Sequence, residues 1–335
     1  MTTPSGQISA QDIKNEFGEL NGTVPLGNYR VSEARGELTL AIGDGVPTSG
    51  TISYDNMRNK KLNIVVDYYS GGTISRTDNG DSLLNAKTKY DDNNGVHVIG
   101  SLKSKPSNTS GHRVRIHVNK SIGGKGGGKN VCALRTGSWN SSTSLIVDVG
   151  GEGAIYGAGG DGGEGGNDQD AGNAGEDGAS ALGIDYNGTI VNVASGGLIR
   201  AGFGGGGGGG CGRQEDKNAD RRACGGGGGG GQGFPGGAGG DRGRGGQTNG
   251  NDGTAGDISE AGEGGGGGNA SNQAFGASGG EGGSQGEGAD NGGSAQHGAG
   301  AGGGQGSAIR KASGVSFTLN NSGTVTGDTN QTGVS

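Results

Sequence analysis

Residues 203–234 read FGGGGGGGCGRQEDKNADRRACGGGGGGGQGF. Two runs of seven glycines, 204–210 and 225–231, enclose a polar stretch that carries seven charged side chains. A backbone almost without side chains therefore flanks one chemically dense loop, 212–223. Loops carried on a rigid scaffold can vary without unfolding it, so the pattern indicates a protein that displays a binding surface. It does not indicate an enzyme, since no nucleophile–base pair and no carboxylate pair stands out in the chain.

Glycine dominates the composition and is unevenly distributed. The chain has 335 residues, of which 89 are Gly and only 5 are Pro, and 64 of the glycines lie within 151–310. Collagen is excluded, because its triple helix needs abundant proline with glycine at every third position throughout. Residues 151–310 also carry a net charge of −11. Such an acidic region disfavours nucleic acid or an anionic membrane surface as the main partner.

Glycine recurs every third residue over long parts of this region. Examples are Gly160, Gly163 and Gly166, and later Gly237, Gly240 and Gly243. A left-handed extended helix has three residues per turn and no internal hydrogen bonds, so its amide groups point sideways. Glycine lets neighbouring helices approach closely enough to bond backbone to backbone. The sequence therefore predicts a polyglycine II helix bundle with the heptaglycine runs inside it, and disorder is the alternative.

The N-terminal region contains an internal repeat. Residues 4–15 match residues 48–59, and each copy places a serine, Ser9 or Ser53, where it could cap a short helix. Asp12 or Asn56 follows three residues later, as in a capping box. Residues 62–150 then alternate apolar and polar residues, as in 62–69, 96–99, 114–118 and 144–149, which predicts an antiparallel β domain.

A second repeat family consists of strand, glycine turn and short strand, at 145–157, 190–202 and 317–327. These units are expected to be β-hairpins that bracket the glycine region. The predicted fold is mainly β with few helices. It comprises a small docking module (1–61), an antiparallel β domain (62–150), a polyglycine II helix bundle with apical loops (151–310), and a C-terminal β-hairpin with a tail (311–335).

Three cysteines provide no disulfide framework. Cys211 and Cys224 nevertheless lie symmetrically against the two glycine runs, and we hypothesise that they form a disulfide at the base of the loop. We expect no metal and no cofactor. The N-terminus lacks a basic start followed by an apolar core, so synthesis in a host cytoplasm is expected.

The layout resembles the glycine-rich receptor-binding proteins of tailed bacteriophages. The resemblance depends on the Ser-Gly-x-Ile-Ser units at 5–9 and 49–53, on 154–160 and 198–202 leading into glycine runs, and on the alternation of glycine blocks with polar inserts. The alternation is similar to that of the distal tail-fibre adhesins of T-even-like phages, which carry a sandwich of polyglycine helices with variable loops at the tip. The resemblance implies a virion tail or tail-fibre protein that binds a bacterial outer-membrane protein or polysaccharide. We further expect contact with other phage tail proteins through the N-terminal region, although that region does not match the attachment domain of these adhesins, and we consider a homotrimer as the oligomer.

The candidate receptor-binding residues lie mainly in the loop between the glycine runs. They are Arg213, Gln214, Glu215, Asp216, Lys217, Asn218, Asp220, Arg221, Arg222 and Phe275. The three arginines could make bidentate contacts to carboxylate or phosphate groups. Secondary candidates are the inserts 167–171, 241–244, 257–263 and 269–275.

Two other classes of function are open. A purely structural tail-tip or fibre component would share the scaffold, but removal of 212–223 would then leave host range unchanged. An ice-binding or matrix protein could also be built of polyglycine helices, but it would need a secretory signal. A charged loop that only keeps the protein soluble is the simplest alternative for 212–223.

Overall fold

The computed structural model describes residues 3–17, 26, 32–35, 38–41, 46–47, 50–60, 63–68, 84–85, 96–99, 113–124, 126–216, 219–270, 274–285 and 287–334. Its helices are α1 (Ala10–Phe17) and a short 3₁₀ helix (Tyr54–Met57). The first strands are β1 (Ser32–Arg35), β2 (Leu38–Ala41), β3 (Asn63–Tyr68), β4 (Leu84–Asn85), β5 (Val96–Ile99), β6 (Arg113–Val118), β7 (Ser121–Ile122), β8 (Cys132–Arg135), β9 (Ser144–Val149) and β10 (Ala154–Tyr156). The later strands are β11 (Ser180–Ile184), β12 (Thr189–Val193), β13 (Leu198–Arg200), β14 (Gly212–Asp216), β15 (Ala219–Ala223), β16 (Ile309–Lys311), β17 (Phe317–Asn321), β18 (Thr324–Thr326) and β19 (Gln331–Thr332).

Most of these strands form a three-sheeted parallel β-helix. The first sheet has the order β17-β12-β9-β6-β3-β5, the second β18-β13-β10-β7, and the third β19-β16-β11-β8-β4. The chain visits the three sheets in turn, so that β6, β7 and β8 make one turn of the helix and β9, β10 and β11 make the next. Two further turns follow, β12-β13-β16 and β17-β18-β19. All described pairings within these sheets are parallel except β3 with β5.

The β-helix interior is filled by aliphatic side chains that stack from one turn to the next. In the second sheet, Ile122, Ile155 and Ile199 are aligned by the strand register and are fully buried. Ile116, Val147 and Val191 are aligned and buried in the same way in the first sheet. Burial of each such side chain contributes about 1.5–3 kcal/mol.

The predicted strands are present, but the predicted antiparallel arrangement is wrong. Alternation shows that one face of a strand is buried and gives no information on the direction of its neighbour. The strand–turn–strand repeats are likewise not hairpins, because their two strands belong to different sheets. The glycine turn between them forms a corner of the β-helix; Gly196, for example, has a φ of 88°. Successive copies of the repeat are therefore one turn of the β-helix apart. For this reason Val149 pairs with Val193, and Val193 pairs with Asn321.

The glycine-rich region consists of two insertions at the same corner of successive turns. Residues 157–179 connect β10 to β11, and residues 201–308 connect β13 to β16. Within them ten extended segments run back and forth. They are 157–166, 172–179, 202–210, 225–232, 237–243, 250–257, 262–268, 276–283, 289–293 and 298–306.

Each heptaglycine run has six neighbouring segments. Gly205, Gly206 and Gly207 donate hydrogen bonds to three different segments, through the carbonyls of Glu176, Gly229 and Asp290, and Gly208–Gly210 repeat this order. Carbonyl groups of 202–210 accept in turn from 160–166, 277–283 and 300–306. The three-residue period and the sixfold surroundings confirm the predicted polyglycine II helix bundle.

Glycine is required in this bundle for space. None of the glycines in 204–210 and 225–231 has a positive φ. A Cβ atom on Gly206 would lie 2.2 Å from the carbonyl oxygen of Gly280, and one on Gly228 would lie 2.0 Å from that of Gly206. Backbone packs directly against backbone, so no larger residue fits these positions.

The N-terminal repeat forms the two predicted capped helices. Ser9 precedes α1 and its N–H donates to Asp12 Oδ2 at 2.8 Å, while the Ser53 N–H donates to Asn56 Oδ1 at 2.8 Å. The Ser9 hydrogen bonds lower the pKa of Asp12 below its usual value. Ile13 and Met57, which occupy equivalent positions in the two copies, are buried in the same apolar cluster as the β-helix interior.

Candidate functional site

The turns between polyglycine segments lie at two opposite ends of the bundle. At the end joined to the β-helix, the Gly124 N–H donates to the Phe234 carbonyl, and Arg200 of β13 donates to the carbonyl of Ile258. A segment such as 203–210 is about 25 Å long at about 3.1 Å per residue. The other end is therefore well separated from the sheets. Five connections lie there, in their described residues: 167–171, 211–216 with 219–224, 244–249, 269–270 with 274–275, and 294–297. We call them the distal surface.

The charged stretch between the heptaglycine runs is an antiparallel β-hairpin on this distal surface. β14 pairs with β15 so that Arg213 lies opposite Arg222 and Glu215 opposite Asp220. The same register places Gln214 opposite Arg221 and Asp216 opposite Ala219. Of the candidate residues, Lys217 and Asn218 lie outside the described part of the chain.

Contacts from three neighbouring connections hold the hairpin in place. Arg222 forms an ion pair with Asp168, and the Arg222 carbonyl accepts a hydrogen bond of 2.9 Å from the Gln247 N–H. On the other strand, the Arg213 N–H donates to Gln296 Oε1 at 2.8 Å. These contacts join residues far apart in sequence into one continuous surface.

Phe275 and Arg244 add an aromatic and a cationic group to the distal surface. Phe275 is 53% exposed, and its carbonyl lies where a side chain at Gly212 would clash, so it adjoins the start of the hairpin. Arg244 is exposed, and its backbone N–H donates to Asn167 Oδ1 at 2.6 Å. The same surface therefore presents an exposed aromatic ring and an exposed guanidinium group, and aromatic residues and arginine are enriched where proteins bind partners.

Cys211 and Cys224 are buried at the base of the hairpin, and both are free thiols in the structure. The Cys211 thiol donates to the Asp168 carbonyl at 3.0 Å, and Cys224 Sγ accepts from the Gly246 N–H at 3.2 Å. Burial raises the pKa of Cys211, and the nearby Cys224 thiol and the carboxyl groups of Asp168 and Asp170 raise it further. The disulfide stays a prediction.

The structure separates the sequence candidates into two groups. The described residues of the inserts 167–171 and 212–223 belong to the distal surface, together with Arg244, 269–270 and 274–275. The insert 257–263 does not, because Gln232 and Arg200 bind its carbonyl groups at the opposite end of the bundle. The sequence candidates omitted 245–249 and 294–297. Both segments lie where the spacing of one glycine every three residues is interrupted, and this interruption is the signal that could have located them.

Among the described residues, no group of three or more His, Cys, Asp or Glu side chains could hold a metal ion. No helix in the described part of the chain is long and apolar enough to cross a membrane.

Residues 82–330 match the family described as phage tail fibre adhesin Gp38. The chain belongs to this family. Among solved structures, the crystal structure of the gp37-gp38 adhesin tip complex of the bacteriophage S16 long tail fiber is similar at a TM-score of 0.34 and 14% identity, over 85% of this chain and 90% of that one. A search of curated protein sequences gave no match. The expected resemblance to phage tail-fibre adhesins is thereby confirmed.

Proposed function

We propose that this adhesin recognises a bacterial outer-membrane protein or polysaccharide through its distal surface, as part of a virion tail. The observation that carries the proposal is the convergence of five connections at the end of the bundle that lies away from the β-helix. The heptaglycine runs carry no side chains, so the specificity of binding has to come from residues outside them. The hairpin, Phe275 and Arg244 supply charged and aromatic groups on a rigid support, which reduces the entropy lost on binding.

We also propose that the chain attaches to another tail protein. The gp38 chain in the S16 structure is in complex with gp37. The N-terminal region remains the predicted attachment region, and the last turn of the β-helix offers a second surface. Its strands β17, β18 and β19 are edge strands within the described sheets, and Phe317, Leu319 and Val325 are only partly buried. Edge strands with unpaired amide groups readily pair with another chain.

The receptor proposal can be tested with fluorescently labelled full-length protein and host cells. Replacement of the exposed aromatic Phe275 with serine should weaken cell binding about tenfold, equivalent to about 1.4 kcal/mol. Tyr54 is the matched control, because it is an aromatic with 43% exposure located in the N-terminal module. Tyr54→Ser should change cell binding less than twofold.

The alternative is a purely structural tail component. In that case the unmodified protein would not bind host cells at saturable sites, and replacing the hairpin residues 213–222 with a short Gly-Ser turn would not change host range. Binding by the unmodified protein that is lost with the shortened hairpin supports the receptor role. Equal losses with Phe275→Ser and Tyr54→Ser would place the receptor site away from the distal surface.

A further inference from the structure

A groove of about 300 Å³ crosses the outer face of the first sheet, on the β-helix and outside the polyglycine bundle. Its lining includes Asp148, Gly150, Asn192, Ala194, Asn320 and Ser322, which come from three successive turns of the β-helix. The volume lies at the lower end of the range for small-molecule sites. Nothing in the proposed receptor role of the distal surface uses this groove.

The floor of the groove is a ladder of polar side chains in register. Asp148, Asn192 and Asn320 are direct neighbours on β9, β12 and β17. Asn192 Nδ2 donates to Asp148 Oδ1 at 2.6 Å, and Asn320 Nδ2 donates to Asn192 Oδ1 at 2.8 Å. A primary amide has two N–H donors, so these bonds use one donor of each asparagine. The second N–H donor of each asparagine side chain, and the side-chain oxygen Oδ1 of Asn320, remain for a ligand.

The groove stays open because small residues follow the ladder at the corner of each turn. Gly150, Ala194 and Ser322 occupy equivalent positions after β9, β12 and β17. A Cβ atom on Gly150 would lie 2.8 Å from Asn119 Oδ1 and 3.4 Å from His117 Nε2. Close packing beneath the corner therefore keeps this position without a side chain.

The ladder carries almost no net charge at its floor. Arg115 Nη1 lies 3.3 Å from Asp148 Oδ2, so the carboxylate is already neutralised by a partly buried ion pair. A phosphate would meet the Asp148 carboxylate, and a metal cation would have to displace the Arg115 guanidinium. A neutral ligand with many hydroxyl groups has neither cost, and each hydroxyl can both donate and accept.

We propose that this groove binds a neutral saccharide laid across the turns of the β-helix. Adjacent strands are about 4.8 Å apart, so an elongated saccharide meets one polar side chain at each turn. The side-chain amides of Asn192 and Asn320 donate to its hydroxyl groups, and Asn320 Oδ1 accepts from one of them. The site is separate from the distal surface and would give the adhesin a second point of contact with a glycan-coated cell.

The test uses full-length protein on an array of neutral and anionic bacterial surface glycans. The unmodified protein should bind one or more neutral glycans. Asn192→Ala should weaken this binding about tenfold. Ser322→Trp should abolish it by filling the groove while leaving the ladder intact. Thr318→Ala is the matched control, since Thr318 lies on β17 outside the groove lining, and it should bind within twofold of the unmodified protein.

Phe275→Ser on the distal surface separates this proposal from the receptor role. Glycan binding that persists in Phe275→Ser and is lost in Ser322→Trp supports the groove. The proposal is overturned if the unmodified protein binds no neutral glycan, or if Ser322→Trp with an unchanged melting temperature binds as well as Thr318→Ala. Loss of glycan binding in Phe275→Ser but not in Ser322→Trp would also overturn it, by assigning the glycan to the distal surface.

Discussion

The Gly206 N–H donates a hydrogen bond of 2.8 Å to the Gly229 carbonyl oxygen and so joins the two heptaglycine runs directly. Fixing the backbone of one residue costs about 1–2 kcal/mol, and a hydrogen bond contributes about 0.5–1.5 kcal/mol net. These values are of similar size, and the bundle has almost no apolar side chains to bury. Its stability therefore requires nearly complete lateral pairing, which the close approach of bare backbones makes possible.

Gly206→Ala should destabilise the bundle by about 3 kcal/mol or more. The new methyl group would lie 2.2 Å from the Gly280 carbonyl oxygen, and backbone surrounded on all sides has no room to move. Thermal unfolding should show a lower melting temperature, and hydrogen exchange should become faster across 204–210 and 225–231. Gly288→Ala is the control, because a Cβ atom there meets nothing within 4 Å, and its melting temperature should be unchanged. Equal melting temperatures for the two variants would contradict the packing argument.

The sequence allowed the bundle to be predicted but not the β-helix. Polyglycine packing follows from a local property, the three-residue phase of Gly160, Gly163 and Gly166, because any residue with a Cβ atom would prevent close approach. The direction of strand pairing is not local. Val149 and Val193 are joined by a turn of the β-helix that includes the insertion 157–179. The alternation of apolar and polar residues in their strands does not indicate that these two strands pair.

The same limit applied to the distal surface. The loop 212–223 could be predicted from its charge density between two glycine runs, but its folding into a β-hairpin could not. Its partners could not be predicted either, because Asp168 and Gln296 reach Arg222 and Arg213 only after the segments between them have folded into the bundle. The three-residue spacing of glycine shows where the segments end, but which ends are neighbours depends on how the segments pack in the bundle.

Cys211 and Cys224 should form a disulfide when the purified protein is oxidised. Intact mass without reductant should then be lower by two hydrogens, and a loop of this size closed by a disulfide gains about 3 kcal/mol of stability. Cys224→Ala should abolish the mass change. An unfolded peptide of residues 211–224 serves as the control for the oxidant. If this peptide forms its disulfide while the mass of the intact protein stays unchanged, the pairing of Cys211 with Cys224 in the folded protein is excluded.

Cys132 should make stability depend on pH in the alkaline range. Burial raises the pKa of this thiol to about 12, although Arg310 and Arg135 act in the opposite direction. In the unfolded chain the thiol ionises near pH 8.5, while the folded chain keeps it protonated. The stabilisation is therefore complete below about pH 8.5 and is lost progressively as pH rises towards 12.

The measurement is the free energy of unfolding at pH 8 and pH 10 for the unmodified protein and Cys132→Ala. The unmodified protein should lose up to about 2 kcal/mol more than the variant over this interval, since one pH unit corresponds to about 1.4 kcal/mol. Other titrating groups are common to both proteins and cancel in the comparison. Parallel pH profiles would show that the thiol ionises equally well in the folded chain.

Asp168→Asn should loosen the hairpin without unfolding the bundle. Arg222 and Asp168 are partly exposed, with 28% and 43% of their side chains accessible, so their ion pair contributes no more than about 1 kcal/mol. The melting temperature should change little, whereas hydrogen exchange in β14 and β15 should become several-fold faster. Asp252→Asn is the matched control, since its pair with Arg242 is also exposed but lies outside the hairpin. If receptor binding depends on a rigid hairpin, Asp168→Asn should weaken cell binding several-fold, while Asp252→Asn should not. Equal rates of hydrogen exchange in β14 and β15 of both variants would show that the ion pair does not position the hairpin.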